Sequence, residues 1–451
     1  MPLKIHGMLS RTGSIKEREI TGLKIMQPEI ISRETIKPSS PTPPHLRTHS
    51  FSLFDQRSPY LYVPIVYFYP KCCSDTSSQL KNSLSKTLSF YYPFAGRVRE
   101  RVSIDCNDEG VVFLEARIKC MLSGILENPK AETINLLFPD DLQWKDSKLR
   151  SLVAVQISYF DCGGMAIGVC LSHKVGDAAT MASFINDWAT MTRNPDRKLS
   201  PEFNLASMFP QGDLPILPEA VTKEGSSFSK RFVFDASKIA ALKAIVGDKV
   251  KNPTRVEVVT ALIYKCAISA SRSSSGSTKP TLLLQTINMR KRVEPPLPEN
   301  SMGNVASLFA VLTMEGESDI ELHGLVGQIK ESMANFCNTY AKKFRGEEWL
   351  STIKENLKES RKLFIGGNQV VYTSSSWCHF PLYDADFGWG KPIWVTVARC
   401  AINGAILLMD TRSGNGVEVF VTLEEQDMAV FERDAELLEF ASSNPSALDL
   451  I

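Results

Sequence analysis

Apolar residues are spaced most regularly between positions 152 and 191. Residues 153–160 form a run rich in Val, Ile and aromatic side chains, Asp161-Cys162-Gly163-Gly164 reads as a turn, and residues 165–171 return as a second run. Beyond it Ala178, Met181, Ala182, Ile185, Trp188 and Met191 trace one face of a helix. His173 therefore falls where a central strand gives way to a helix, a place from which a side chain can face a cleft from a rigid base. Elsewhere, residues 61–69 read as a strand and Leu80, Leu84 and Leu88 as a helix that ends before Pro93. The prolines of residues 38–44 predict an extended stretch.

From 194 to 229 the pattern dissolves into Pro, Gly, Ser and mixed charge, which predicts a linker near the middle of the chain. A second mixed region starts at 231–235. Thr254-Arg255-Val256-Glu257 is a capping box opening a helix through about Ser271. Strands are predicted at 281–289 and 305–313, then a helix from Ile320 to about Lys342 with Leu325, Ile329, Met333 and Phe336 inward. Further strands follow at 393–399, 405–409 and 417–423. The organisation is a flexible extension over 1–24, an N-terminal domain at 25–193, a crossover at 194–229 and a C-terminal domain at 230–451. The two α/β halves show no sequence repeat.

With 451 residues, 43% hydrophobic and 22% charged, the chain has room for two globular domains. A net charge of +1 argues against a surface built for nucleic acid, though not against a local basic pocket for a phosphate-bearing ligand. Ten cysteines occur without a Cys-x-x-Cys pair, and several sit in apolar runs, as Cys170 does, so buried free thiols are expected. No usable Asn-x-Ser/Thr site is present, because the candidates at Asn252 and Asn444 contain proline. A reducing compartment follows, and with no apolar core in residues 1–24 and no run of roughly 18 apolar residues, the cytosol is the expectation and no membrane contact is foreseen.

Candidate chemistry rests on His173-Lys174-Val175-Gly176-Asp177 and Asp386-Phe387-Gly388-Trp389-Gly390. An imidazole titrates near neutrality and suits a general base. In a chain with six histidines His-x-x-x-Asp also arises by chance, and the plain reading is a buried His with a locally bonded Asp. His and Asp four apart can share a metal, but no third or fourth ligand stands nearby. Asp177 can hold the imidazole or pair with an arginine and brace the loop; bracing is favoured, since a carboxylate at that spacing need not point back at the ring. The second motif reads equally as a turn with a packed aromatic. An Asp among glycines and aromatics is costly to bury alone, and Arg290 or Arg292 is its predicted partner, with a phosphate-facing role for this basic cluster as the alternative. No Gly-x-Ser-x-Gly elbow and no P-loop occur, which disfavours a serine hydrolase and a P-loop NTPase.

Tyr92-Pro93-Phe94-Ala95-Gly96-Arg97, His173-x-x-x-Asp177, Met302-Gly303-Asn304, Ser375-Ser376-Trp377 and Asp386-Phe387-Gly388-Trp389-Gly390, in this order, resemble the plant BAHD acyl-CoA-dependent acyltransferases from about Ile25 onward. Asp410-Thr411-Arg412-Ser413-Gly414 and Ser172-His173-Lys174 look most like the branch holding vinorine synthase and the alkaloid O-acetyltransferases. The resemblance implies an α/β fold of two chloramphenicol-acetyltransferase-like domains, mixed sheet and helices, with a solvent channel between them. It implies acetyl-CoA or another acyl-CoA as co-substrate, no bound cofactor and no metal. His173 would take the hydroxyl proton so that the alcohol attacks the thioester directly, without an acyl-enzyme. Asp386 counts in the family as a second active-site residue, expected here to act through structure. Asp177 and Trp389 are supporting residues, with Arg290 and Arg292 as pairing partners; Asn304, Ser375 and Trp377 would line the channel. The expected acceptor is an alkaloid alcohol, then a triterpenoid or limonoid, with amine acylation and a silent ligand-binding relative as rivals. A monomer is expected. Ala178 stands where many members have Gly, and the extension before Ile25 is longer than in close relatives.

Overall fold

Every residue of the strand Tyr62–Tyr69 is buried, as an apolar run flanked by partners on both sides requires. In the computed structural model of the chain this strand lies inside a six-stranded sheet. Residues 27–450 are described, apart from 72–74, 140–141, 144, 148–149, 213–226, 277, 315–320, 346–347, 364–368 and 401. The N-terminal extension, Cys72, Cys73 and the predicted helix start at Ile320 lie outside the described residues, as does the middle of the crossover.

The first sheet runs Glu29–Ile36, Val111–Ile118, Val153–Phe160, Met165–Ser172, Tyr62–Tyr69 and Trp394–Thr396. Its Val153–Phe160 and Met165–Ser172 strands form the expected hairpin, antiparallel from Val153 opposite Leu171 to Tyr159 opposite Met165. The helices Thr76–Phe90 and Ala178–Arg193 cover one face. The Trp188 indole locks them together, donating to the Leu80 carbonyl at 3.1 Å and to the Ser83 hydroxyl at 3.0 Å.

The second sheet runs Ala306–Thr313, Thr281–Asn288, Val370–Ser376, Ala405–Asp410, Val417–Glu424, Ser227–Phe234 and Ser442–Ser443. Both sheets are mixed: Val111–Ile118 pairs in parallel with Val153–Phe160, and Val370–Ser376 in parallel with two neighbours. The helix Arg255–Ser275 packs behind the second sheet. It opens on the predicted Thr254/Glu257 capping box and closes at Gly276 in the left-handed conformation.

The sequence reading missed several elements. The strands Glu29–Ile36, Val111–Ile118 and Val370–Ser376 and the helices Ala236–Gly247 and Trp349–Lys362 were not foreseen. The strand expected at 393–399 is only Trp394–Thr396, because Val397 and Ala398 leave the sheet to line a cavity. Part of the 194–229 segment is built into the fold. Leu205, on the short helix Leu205–Met208, and Phe209 join the core behind the second sheet, and the Ser227–Phe234 strand begins inside it.

Candidate active site

A cavity of about 280 Å³ opens between the two sheets. Because successive side chains of a strand face opposite ways, one face of the second sheet supplies a wall of Thr286, Thr373, Ser375, Leu407 and Phe420. Ser375 lies beside Leu407, and Leu407 beside Phe420. The intervening Leu408 and Val421 pack into the core on the other side, and Ile406 joins that core while also bordering the cavity. Leu61, Val63 and Val397 form the facing wall. The polar groups reaching this largely apolar space include the His173 ring, the Thr286, Thr373, Ser375 and Ser376 side chains and the Asn288 amide.

His173 follows the strand Met165–Ser172, and its backbone N–H donates to the Leu61 carbonyl at 2.7 Å. The ring nitrogen Nδ1 lies 2.8 Å from the Asn304 side-chain oxygen. Asn304 Nδ2 donates to the His173 carbonyl at 2.8 Å and to Asp55 Oδ1 at 2.9 Å, and the Asn304 backbone N–H donates to the same Asp55 oxygen at 2.8 Å. Asp55 Oδ2 accepts from the Ser52 backbone N–H at 3.0 Å and from its hydroxyl at 2.6 Å, and the Asp55 N–H donates to Ser52 Oγ at 3.1 Å, completing the capping box of the helix Leu53–Arg57. Lys174 Nζ donates to the Asp55 and Gln56 carbonyls, each at 3.0 Å, and lies 4.4 Å from the Tyr60 ring centre. Burial pulls the Lys174 ammonium down to about 8, against the opposing pull of Asp55.

Asp177 caps the helix Ala178–Arg193, accepting from the Thr180 N–H at 3.0 Å. It also receives Arg290 Nη1 at 2.7 Å, Arg290 Nη2 at 3.1 Å and the Val305 N–H at 2.9 Å. Burial alone would raise this carboxyl, but the Arg290 guanidinium and the hydrogen bonds hold it below the usual carboxylate range. The geometry agrees with bracing: no bond joins Asp177 to the His173 ring, and Arg290 is spent, donating also to the Ser301 and Gly303 carbonyls.

The pairing foreseen for Asp386 is corrected. Arg290 belongs to Asp177, and Arg292 donates to the Asn288 carbonyl at 2.7 Å. The arginine facing Asp386 is Arg193, at 3.9 Å between partly exposed side chains. Asp386 Oδ1 mainly holds its own loop, taking the Gly388 and Gly390 N–H groups at 2.8 and 3.0 Å, both glycines at positive φ. Phe387 meets Trp188 edge to face at 5.0 Å and stacks on Trp389 at 5.7 Å. Asp386 and Trp389 do not line the cavity; their loop buttresses the far end of the helix that starts at Asp177. Ser375 and Trp377 do line it, whereas Asn304 touches the candidate base itself. Sequence reasoning missed Asp55. Its Ser52-Leu53-Phe54-Asp55 capping pattern is visible in the chain, but the reach to Asn304 is not.

Among the described residues no cluster of three or more His, Cys, Asp or Glu side chains offers a metal site, and no helix is long and apolar enough to cross a membrane.

A model of the Transferase family matches residues 26–438. The chain is 41% identical over 424 residues to a 17,18-epoxy-17-hydroxycur-19-ene N-malonyltransferase of Strychnos nux-vomica, covering 92% of this chain and 91% of that one. It is 39% identical over 456 residues to an epi-neemfruitin B 7-O-acetyltransferase of Melia azedarach, covering 94% and 100%. The solved structure of vinorine synthase superposes with a TM-score of 0.82 at 37% identity, over 93% of this chain and 100% of that one.

Proposed function

The chain belongs to the Transferase family, the BAHD acyltransferases, and from that premise we propose that it moves an acetyl or other short acyl group from acyl-CoA to a hydroxyl group, with His173 as general base. That it is an acyltransferase of plant specialised metabolism, with an α/β fold of two chloramphenicol-acetyltransferase-like domains, follows from the relatives. The observation that carries the proposal is the His173 ring at the wall of the cavity, with Nδ1 tied to Asn304 and Nε2 without a partner among the described residues.

In this mechanism Nε2 takes the acceptor hydroxyl proton as the oxygen attacks the thioester carbonyl. The tetrahedral intermediate collapses with cleavage of the carbon–sulfur bond, and the departing CoA thiolate receives the proton from the imidazolium. The atoms balance without an acyl-enzyme. The apolar walls, relieved mainly by hydroxyls and an amide, support a bulky polycyclic acceptor. An alkaloid alcohol is our first candidate and a limonoid alcohol, as the Melia relative's name describes, the second. Amine acylation is a second reading, favoured by the N-malonyltransferase relative. We further propose residues 25–193 and 230–451 as the two domains joined through 194–229, and a cytosolic monomer. The eight described cysteines, all free, support that compartment.

Release of CoA thiol from acetyl-CoA and malonyl-CoA, over pooled alkaloid and limonoid alcohols and amines, tests the reading. Wild type is expected to release thiol only with acceptor present, giving a product heavier by one acyl group. His173→Ala is expected to turn over roughly 10²–10⁴-fold more slowly while still binding CoA. Undiminished turnover by His173→Ala removes the general-base role.

A further inference from the structure

A histidine accepts a proton only through the ring nitrogen that carries none, so its tautomer decides whether it is a base. Nδ1 of His173 faces the Asn304 side chain, and the end of the amide presented to it fixes that tautomer. With the oxygen facing Nδ1, the ring must donate from Nδ1 and Nε2 is bare. With the NH2 group facing Nδ1, the proton moves to Nε2 and the base is lost.

Asn304 is 2% exposed, and its surroundings leave one orientation. Both hydrogens of its NH2 group are used, one on the His173 carbonyl and one on Asp55 Oδ1. Turning the amide over would press its oxygen against both of these acceptors at about the same 2.8–2.9 Å, leaving three acceptors facing one another. Asp55 cannot move aside. Its other oxygen is held by the Ser52 N–H and hydroxyl, its first also takes the Asn304 backbone N–H, and Lys174, next to His173, clamps the Asp55 and Gln56 carbonyls. Three distant segments, around residues 52–56, 173–174 and 303–304, thus close into one hydrogen-bonded ring.

We propose that Asp55, which does not line the cavity, is a positioning residue: its carboxylate orients the Asn304 amide, which holds His173 as the Nδ1–H tautomer with Nε2 free to accept. The inference rests on the general-base reading of His173 but concerns a different residue and a different observable.

The test is Asp55→Ala in full-length protein labelled with ¹⁵N-histidine, the His173 signals being assigned by their loss in His173→Gln. Wild type is expected to show the Nδ1–H tautomer at a pH where the ring is neutral. Folded Asp55→Ala is expected to shift towards Nε2–H, with kcat down about 10²-fold and the KM for acyl-CoA unchanged. A preserved Nδ1–H tautomer, or wild-type kcat, in the folded variant overturns the proposal. Should Asp55→Ala fail to fold, Asp55→Leu replaces it: it removes both acceptor oxygens while keeping the bulk of the side chain, and the same two results decide. If His173→Ala remains active, the general-base reading fails; if His173→Ala is inactive while a folded Asp55 variant keeps tautomer and kcat, only this inference fails.

Discussion

A carboxylate that already receives four donors has little left to offer a neighbouring imidazole, and Asp177 is in that position. At this scale the sequence was partly legible. The spacing from His173 to Asp177 announced both residues, and strand-to-helix geometry argued for bracing. The partners were not legible, because Arg290 stands 113 positions from Asp177 and Asp55 stands 249 from Asn304; nothing along the chain distinguishes the arginine that folds back from its neighbour Arg292. Lys174 gives a prediction peculiar to one buried group. Its pKa falls from an ordinary 10.5 to about 8 in the fold. Between those values the unfolded chain binds more protons than the native one, so stability rises with pH across that window and is lost as pH falls through about 8. Paired melting scans should show wild type gaining on Lys174→Met between about pH 8 and 10.5, a gain absent if the lysine is unshifted.

Elements were readable where both faces are apolar and obscure where one face carries function. Val153–Phe160 and Met165–Ser172 were read within a residue of their ends because nearly every position is buried. Val370–Ser376 escaped notice because its sequence, VVYTSSS, puts hydroxyls on the cavity side and Ser374 behind. Glu29–Ile36 escaped because its register shifts between Ile30 and Ser32, which breaks the alternation, and most of it is exposed. The Asp386–Gly390 loop was recognised as a motif but assigned the wrong ion pair. Its bonds run to its own backbone, and an amide oxygen can receive them as a carboxylate does. Asp386→Asn should therefore keep the wild-type denaturation midpoint, whereas Asp386→Ala should lose about 1–2 kcal/mol with activity falling alongside. Equal damage by both variants would show that the charge, and hence Arg193, matters more than the turn.

In the whole molecule the two sheets are interlocked rather than merely adjacent. Trp394–Thr396 comes from the second half of the chain yet pairs with Tyr62–Tyr69 of the first sheet. From that strand the Trp394 indole reaches Glu418 of the second sheet at 3.3 Å, and the Arg231 guanidinium, bonded to Glu418 at 2.6 Å, covers its ring at 5.1 Å. Arg231 and Glu418 are 5% and 1% exposed. Glu418→Leu should cost about 3–5 kcal/mol by leaving a buried cation unpaired. Adding Arg231→Met should restore much of it in the same urea titration; no recovery would locate the loss in Trp394 instead. Two mixed α/β halves were legible from the order of periodic segments, but this cross-over was not, since three residues carry it. The alternation along the second sheet reaches further still. Ser375 and Leu407 shape the cavity while Ser374 and Leu408, one step along, hold the scaffold. Lineages can therefore drift towards new acceptors by changing the letters on the cavity side of a strand, with selection for foldability resting on those behind.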